Sequence, residues 1–155
     1  MIYSSLPRFS IRPTYPTSSL KEEPCQEISA PVEVYDFYNN TIAKDPTHEP
    51  QKEHLVVVAV DFRNKLIGYN VVSVGTANET LVNVAETLRP VIVSGSSRFF
   101  LIHNHPSGDP APSLADKRVT KKVQAACELL DMHLVDHIIM GDSQFYSFQE
   151  HGNLH

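Results

Sequence analysis

Apolar residues recur along this chain in two rhythms, one helical and one extended. From Pro31, residues Val34, Tyr35, Tyr38 and Ile42 fall on one face of a helix, with Phe37 at its border. A proline at the first turn suits a helix start. A polar loop containing Pro46 and Pro50 follows. The run EHLVVVAVD, residues 53–61, is almost wholly apolar and rich in valine, as for a strand buried on both faces. Residues 62–65 predict a hairpin turn and 66–74 its partner strand. Asn83 is placed to cap a helix through Val84, Leu88, Val91 and Ile92, with Pro90 inside it. Phe99–Ile102 reads as a short strand that runs into HNHPSGDPAPS, too rich in proline and glycine to be regular. Ser113 opens a long helix with Val119, Val123, Ala126 and Leu130 on its apolar face. Residues 134–140 and 145–148 predict two closing strands. Helix, two strands, helix, strand, helix and two strands make an α/β domain, a mixed central β-sheet flanked by helices.

Residues 1–28 lack this patterning. Pro7, Pro13, Pro16 and Pro24 stand among many serines and threonines, which predicts a weakly ordered tail before a domain at 29–155. With 41% hydrophobic and 20% charged residues, the 155-residue chain has the balance of one ordinary globular domain. A net charge of −5 does not favour phosphate backbones, so nucleic-acid binding is possible but not indicated. The visible basic cluster, Lys117, Arg118, Lys121 and Lys122, reads as a solvated helix face. The two cysteines, Cys25 and Cys127, form neither a disulfide framework nor a C-x-x-C pair. With no apolar run long enough for a bilayer and no signal-like start, the expectation is a reduced, cytoplasmic protein away from membranes.

The candidate chemistry lies between the third strand and the long helix. His103 and His105 alternate at a strand end, so both imidazoles point to one side. Pro106, Gly108, Pro110 and Pro112 turn the chain back. Ser113 and Asp116 then share a face of the first helical turn. Two histidines and a carboxylate leave one position of a tetrahedral zinc open for water, which is the catalytic arrangement. The same Ser-x-x-Asp is also a plain capping signal, with Asp116 favourable against the helix dipole. An isolated H-x-H pair is common in exposed loops. The two pairs flanking one tight turn tilt the reading toward a metal.

The segment from His103 to Asp116, HNHPSGDPAPSLAD, resembles the JAMM metalloprotease pattern H-x-H-x7-S-x2-D at every defined position. HNHPSG, the P-S-x-x-D-x-x-x-T run ending at Thr120, Gly75-Thr76, the DHIIMG stretch from Asp136 to Gly141, and Tyr146-Ser147-Phe148 are similar to the bacterial RadC branch in particular. The similarity covers about residues 28–155. It implies a JAB/MPN fold, related to cytidine deaminases, and a hydrolase that cleaves a peptide or isopeptide bond in a protein or peptide substrate with a Zn2+ cofactor. His103, His105 and Asp116 match the zinc ligands. Ser113 matches the residue that steadies the oxyanion, and Glu53 matches the upstream general base. Glu86 is the competing carboxylate. It stands where RadC-like chains carry Pro-Arg-Glu, but here the run is Val84-Ala85-Glu86.

Asp136 and His137 are either residues that orient the site or a polar pair at a strand end. Asn104 reads first as a turn residue. His48, His54, His133, His151 and His155 have no metal spacing and are expected at the surface. An alternative function is a DNA-repair-associated module acting through partners, since longer RadC-like chains carry a helix-hairpin-helix-like region. That hairpin normally uses glycine, and no glycine precedes Gly68. A metal-free scaffold is a third option, disfavoured by the intact ligand set.

Overall fold

The structure is a computed structural model and describes residues 26–75 and 82–154. The expected order of elements is present. Helix α1 spans Pro31–Phe37 and continues as a π-helical turn, Tyr38–Ile42. Strands β1 (Glu53–Val60) and β2 (Leu66–Gly75) form the hairpin. Then come α2 (Val84–Val93), β3 (Arg98–Asn104), α3 (Leu114–Leu129), β4 (His133–Met140) and β5 (Phe145–Ser147). The five strands form one sheet in the order β2-β1-β3-β4-β5. β3 and β4 run parallel and the other pairs antiparallel, so the sheet is mixed.

Strand alternation divides the core in two. Val56, Val58, Val60, Phe100, Ile102, Ile138 and Met140 face α1 and its π-helical turn. Leu55, Val57, Phe99, Leu101 and Leu134 face α2 and α3. The valine run at β1 is buried along nearly its whole length because it lies inside the sheet with a layer on each side. The irregularity in β3–β4 pairing between Phe99 and Phe100 shifts the phase of β4, so Val135 and Ile138, three residues apart, both pack with the α1 layer.

Several expectations are adjusted in detail. Gln26–Ile28 already belong to the domain: Glu27 bridges Lys65, and Ile28 is fully buried. The preceding tail, Cys25, Thr76 and His155 lie outside the described residues. Phe37 is core rather than border, since it lies three residues after Val34 on the same buried face of α1. On α3 the buried residues are Asp116, Thr120, Val123 and Cys127, so Leu130 ends exposed and the apolar face is rotated from the one predicted. Burial pushes the Cys127 thiol up to about 11, so it stays protonated. His54 is buried, not superficial, with its ring 4.3 Å from that of His48. No helix among the described residues is long and apolar enough to cross a membrane.

Leu101, fully buried in the central strand β3, is the sharpest test of this packing. Leu101→Ala is expected to lower unfolding free energy by about 2–5 kcal/mol, read from denaturant melts with an unchanged m-value.

Candidate metal centre

Strand parity brings the candidate residues to one corner. His103 pairs with Leu55, two residues after Glu53, and both are in strands whose odd positions face α2 and α3. The His103 side chain therefore meets Glu53 from β1 and Asp116 from the first turn of α3. The His103 Nδ1 lies 3.1 Å from Asp116 Oδ1, and its Nε2 lies 3.7 Å from Glu53 Oε2. The second distance is too long for a hydrogen bond, and this buried Nε2 has no such partner among the described residues. His105 Nε2 is 3.5 Å from Asp116 Oδ2. One ligand atom each from Glu53, His103 and His105 lies within 4.8 Å of the others.

The chain after β3 is held tightly enough to aim His105. The His105 N–H donates to the Met140 carbonyl at 2.9 Å, and the Asp142 N–H donates to the Gly108 carbonyl at 2.8 Å. Gly108 has φ +80°, a conformation that favours glycine. At Gly141 a Cβ would run into the Gly108 carbonyl and lie 2.7 Å from Pro110 Cδ, so only glycine lets the loop rest on the end of β4. The His105 Nδ1–H donates to the Asp109 carbonyl at 2.7 Å, which turns Nε2 toward Asp116.

At the start of α3, the Ser113 N–H and hydroxyl donate to Asp116 Oδ2 at 2.7 and 2.6 Å, and the Asp116 N–H donates back to Ser113 Oγ at 3.1 Å. This is the capping box that the Ser-x-x-Asp spacing allows, and it coexists with the approach of Asp116 to both histidines. The single hydroxyl hydrogen of Ser113 is directed at Asp116 in this arrangement.

Electrostatics follow from the crowding. Burial alone would raise Asp116, but bonds from His103, His105 and Ser113 hold it well below the usual carboxylate range. Burial pulls His103 down, yet Asp116 and Glu53 outweigh it and set the imidazole at about 9 without a metal. Asp116 also raises His105.

Two contributors had weak sequence signals. Asn104 is no turn residue. Its Oδ1 accepts from the His54 N–H at 2.7 Å and its Nδ2 donates to the Lys52 carbonyl at 3.0 Å, so it grips the backbone on both sides of Glu53. Thr120 occupies the buried stripe of α3 and reaches His137, with Oγ1 and Nδ1 2.7 Å apart. Asp136 and His137 separate in function. Asp136 accepts from Ser147 Oγ at 2.5 Å and the Gln149 N–H at 2.9 Å, which anchors the segment after β5. Glu86 is exposed and paired with Arg89 at 2.6 Å. The basic cluster on α3 is exposed, as expected of a solvated face.

A five-strand mixed sheet between helices, with this corner beside β1 and β3, is consistent with the JAB/MPN fold. Residues 28–153 match the RadC-like JAB domain. A UPF0758 protein of Methanosarcina mazei is 35% identical over 84% of this chain and 55% of its own length. Another from Trichlorobacter lovleyi is 33% identical over 85% of this chain and 55% of its own. A third, from Caldanaerobacter subterraneus subsp. tengcongensis, is 40% identical over 65% and 43%. This chain belongs to the RadC-like JAB domain family. It spans about half the length of the curated relatives it matches.

The raised His103 gives a signed prediction for the metal-free protein. A free histidine titrates near 6.5, so the folded state holds this proton more tightly than the unfolded chain. The stabilisation is complete below that value and is lost as pH rises through about 9. The melting temperature of the metal-free protein should fall between pH 7 and 9, and His103→Gln should flatten that fall.

Proposed function

We propose that this domain is a zinc-dependent metallohydrolase that cleaves a peptide or isopeptide bond in a protein or peptide substrate. One observation carries the reading: the buried His103 ring has a carboxylate at each nitrogen, His105 lies beside it, and its Nε2 lacks a hydrogen bond. Ligands of a tetrahedral zinc stand about 3.3 Å apart when its bonds are about 2.0–2.1 Å. Asp116 stands near that value from His103 Nδ1, at 3.1 Å, and from His105 Nε2, at 3.5 Å, whereas the 3.7 Å contact joins the opposite nitrogen of His103 to Glu53. The donor set of imidazoles and carboxylates suits zinc, so the residues fit the ion.

His103, His105 and Asp116 would hold the metal. Asp116 is the better ligand of the two carboxylates, because it is buried, fixed by Ser113 and kept ionised. A bound zinc ion lowers the pKa of water to about 7 and polarises a carbonyl oxygen. Glu53, at the start of β1 with its side chain 14% exposed, would take a proton from water and return it to the leaving amine. Asn104 keeps Glu53 in reach by fixing the peptide groups on either side of it. Ser113 is the exposed hydroxyl of the group; turned away from Asp116, whose Oδ2 would keep the Ser113 N–H, it would donate to the oxygen that gains charge during attack.

The assignment separates two variants. Glu53→Gln should bind zinc as the unaltered protein does and lose amide hydrolysis by at least about 100-fold, the usual weight of a general base. His103→Ala should lose both the metal and the activity. Metal analysis and a proteomic substrate screen measure the two. Hydrolysis that survives both changes would end the reading, and zinc loss in Glu53→Gln equal to that in His103→Ala would make Glu53 a ligand.

A further inference from the structure

Behind the His pair lies a buried imidazole that the proposed chemistry does not use. His137 is fully buried, and its Nε2 has no hydrogen-bond partner among the described residues. A buried nitrogen left unpaired is destabilising and calls for a reason. Its Nδ1 lies 2.7 Å from Thr120 Oγ1, and that hydroxyl donates its one hydrogen to the Asp116 carbonyl at 2.8 Å. His137 must then be the donor to Thr120, through Nδ1–H. Burial, with His103 nearby, pushes its pKa down to about 3, so the ring is neutral.

The ring also belongs to a row. β4 lies between β3 and β5. His137 is stacked on Phe148, at 4.7 Å between centroids and 9° between planes. Toward β3 it lies 6.3 Å from His103, only 13° from parallel. Thus one residue meets both parts of the candidate centre: the plane of a histidine ligand, and through Thr120 the helical turn that carries Asp116.

We propose that His137 and Thr120 are a positioning pair that sets the His103 ring plane and the height of Asp116, so that both reach one metal ion. This rests on the metal-site reading above. A phenylalanine at 137 would fill the same slot and stack on Phe148 without burying an unpaired nitrogen, but it could not hold Thr120. A valine at 120 keeps the shape of threonine and breaks the same link, whereas serine keeps the hydroxyl.

The test uses the full chain with Thr120→Val, Thr120→Ser and His137→Phe. Zn2+ affinity is measured by chelator competition, the site geometry by visible absorption after Co2+ loading, and stability by melting the metal-free proteins. Partners of metal ligands typically contribute about 10–100-fold in affinity. Thr120→Val and His137→Phe should weaken Zn2+ binding by that factor and change the Co2+ spectrum. Thr120→Ser should restore both, and His137→Phe should melt no lower than the unaltered protein. Affinity and spectrum unchanged in Thr120→Val and His137→Phe would overturn the proposal while leaving the metal site standing. An unaltered protein that binds neither ion would remove the metal site and this inference with it.

Discussion

Asp116 is 5% exposed and holds a negative charge, a combination that an apolar slot does not tolerate unaided. His103 and His105 compensate it on one side, at 3.1 and 3.5 Å. Ser113 compensates it on the other through an N–H and a hydroxyl, and the helix start adds its favourable dipole. Each of these groups depends on the others. Without the carboxylate, His103 keeps only Glu53 to hold its proton against burial. Without the histidines, the carboxylate is stranded beneath the ends of β1 and β3. The tight loop from His105 to Pro112 exists to bring the two halves together, and its rest on Gly141 ties that geometry to the end of β4.

The rest of the fold supplies a rigid frame for this pair. Parity along β1 and β3 sends Glu53 and His103 to the same face, while the even positions of those strands build the other core. Asn104 uses its opposite orientation to reach across to β1, so consecutive residues serve as candidate ligand and clamp. A buried cluster of this kind contributes less to stability than hydrophobic residues of the same volume. The two apolar layers on either side of the sheet offset that, which is why the centre can sit at the edge of a well-packed domain.

Much of this was legible in the residues. The valine run of β1, the hairpin, the Asn83 and Ser113 caps and the order of elements follow from local patterning, which depends on near neighbours. The meeting of His103, His105 and Asp116 was legible because one short loop links them. Glu53 was legible only through family resemblance, since its contact crosses 50 residues of chain. Thr120 and Asn104 were hidden for a different reason. Thr120 is a polar residue in an apolar stripe, and periodicity counts it as a gap; the buried face was accordingly placed on Val119 and Leu130 rather than Thr120 and Cys127. Asn104 sits in a segment whose prolines and glycine suggest a turn, and its two bonds to β1 have no local signature. His54 was misplaced because a histidine beside a charged residue looks superficial until the strand containing it is known to lie inside the sheet.

Zinc K-edge X-ray absorption on the protein loaded with one equivalent of Zn2+ tests the centre most directly. A first shell of nitrogen and oxygen at about 2.0–2.1 Å, with the outer-shell scattering of two imidazole rings, is the predicted result. A shell of oxygen alone, with no imidazole scattering, would contradict it.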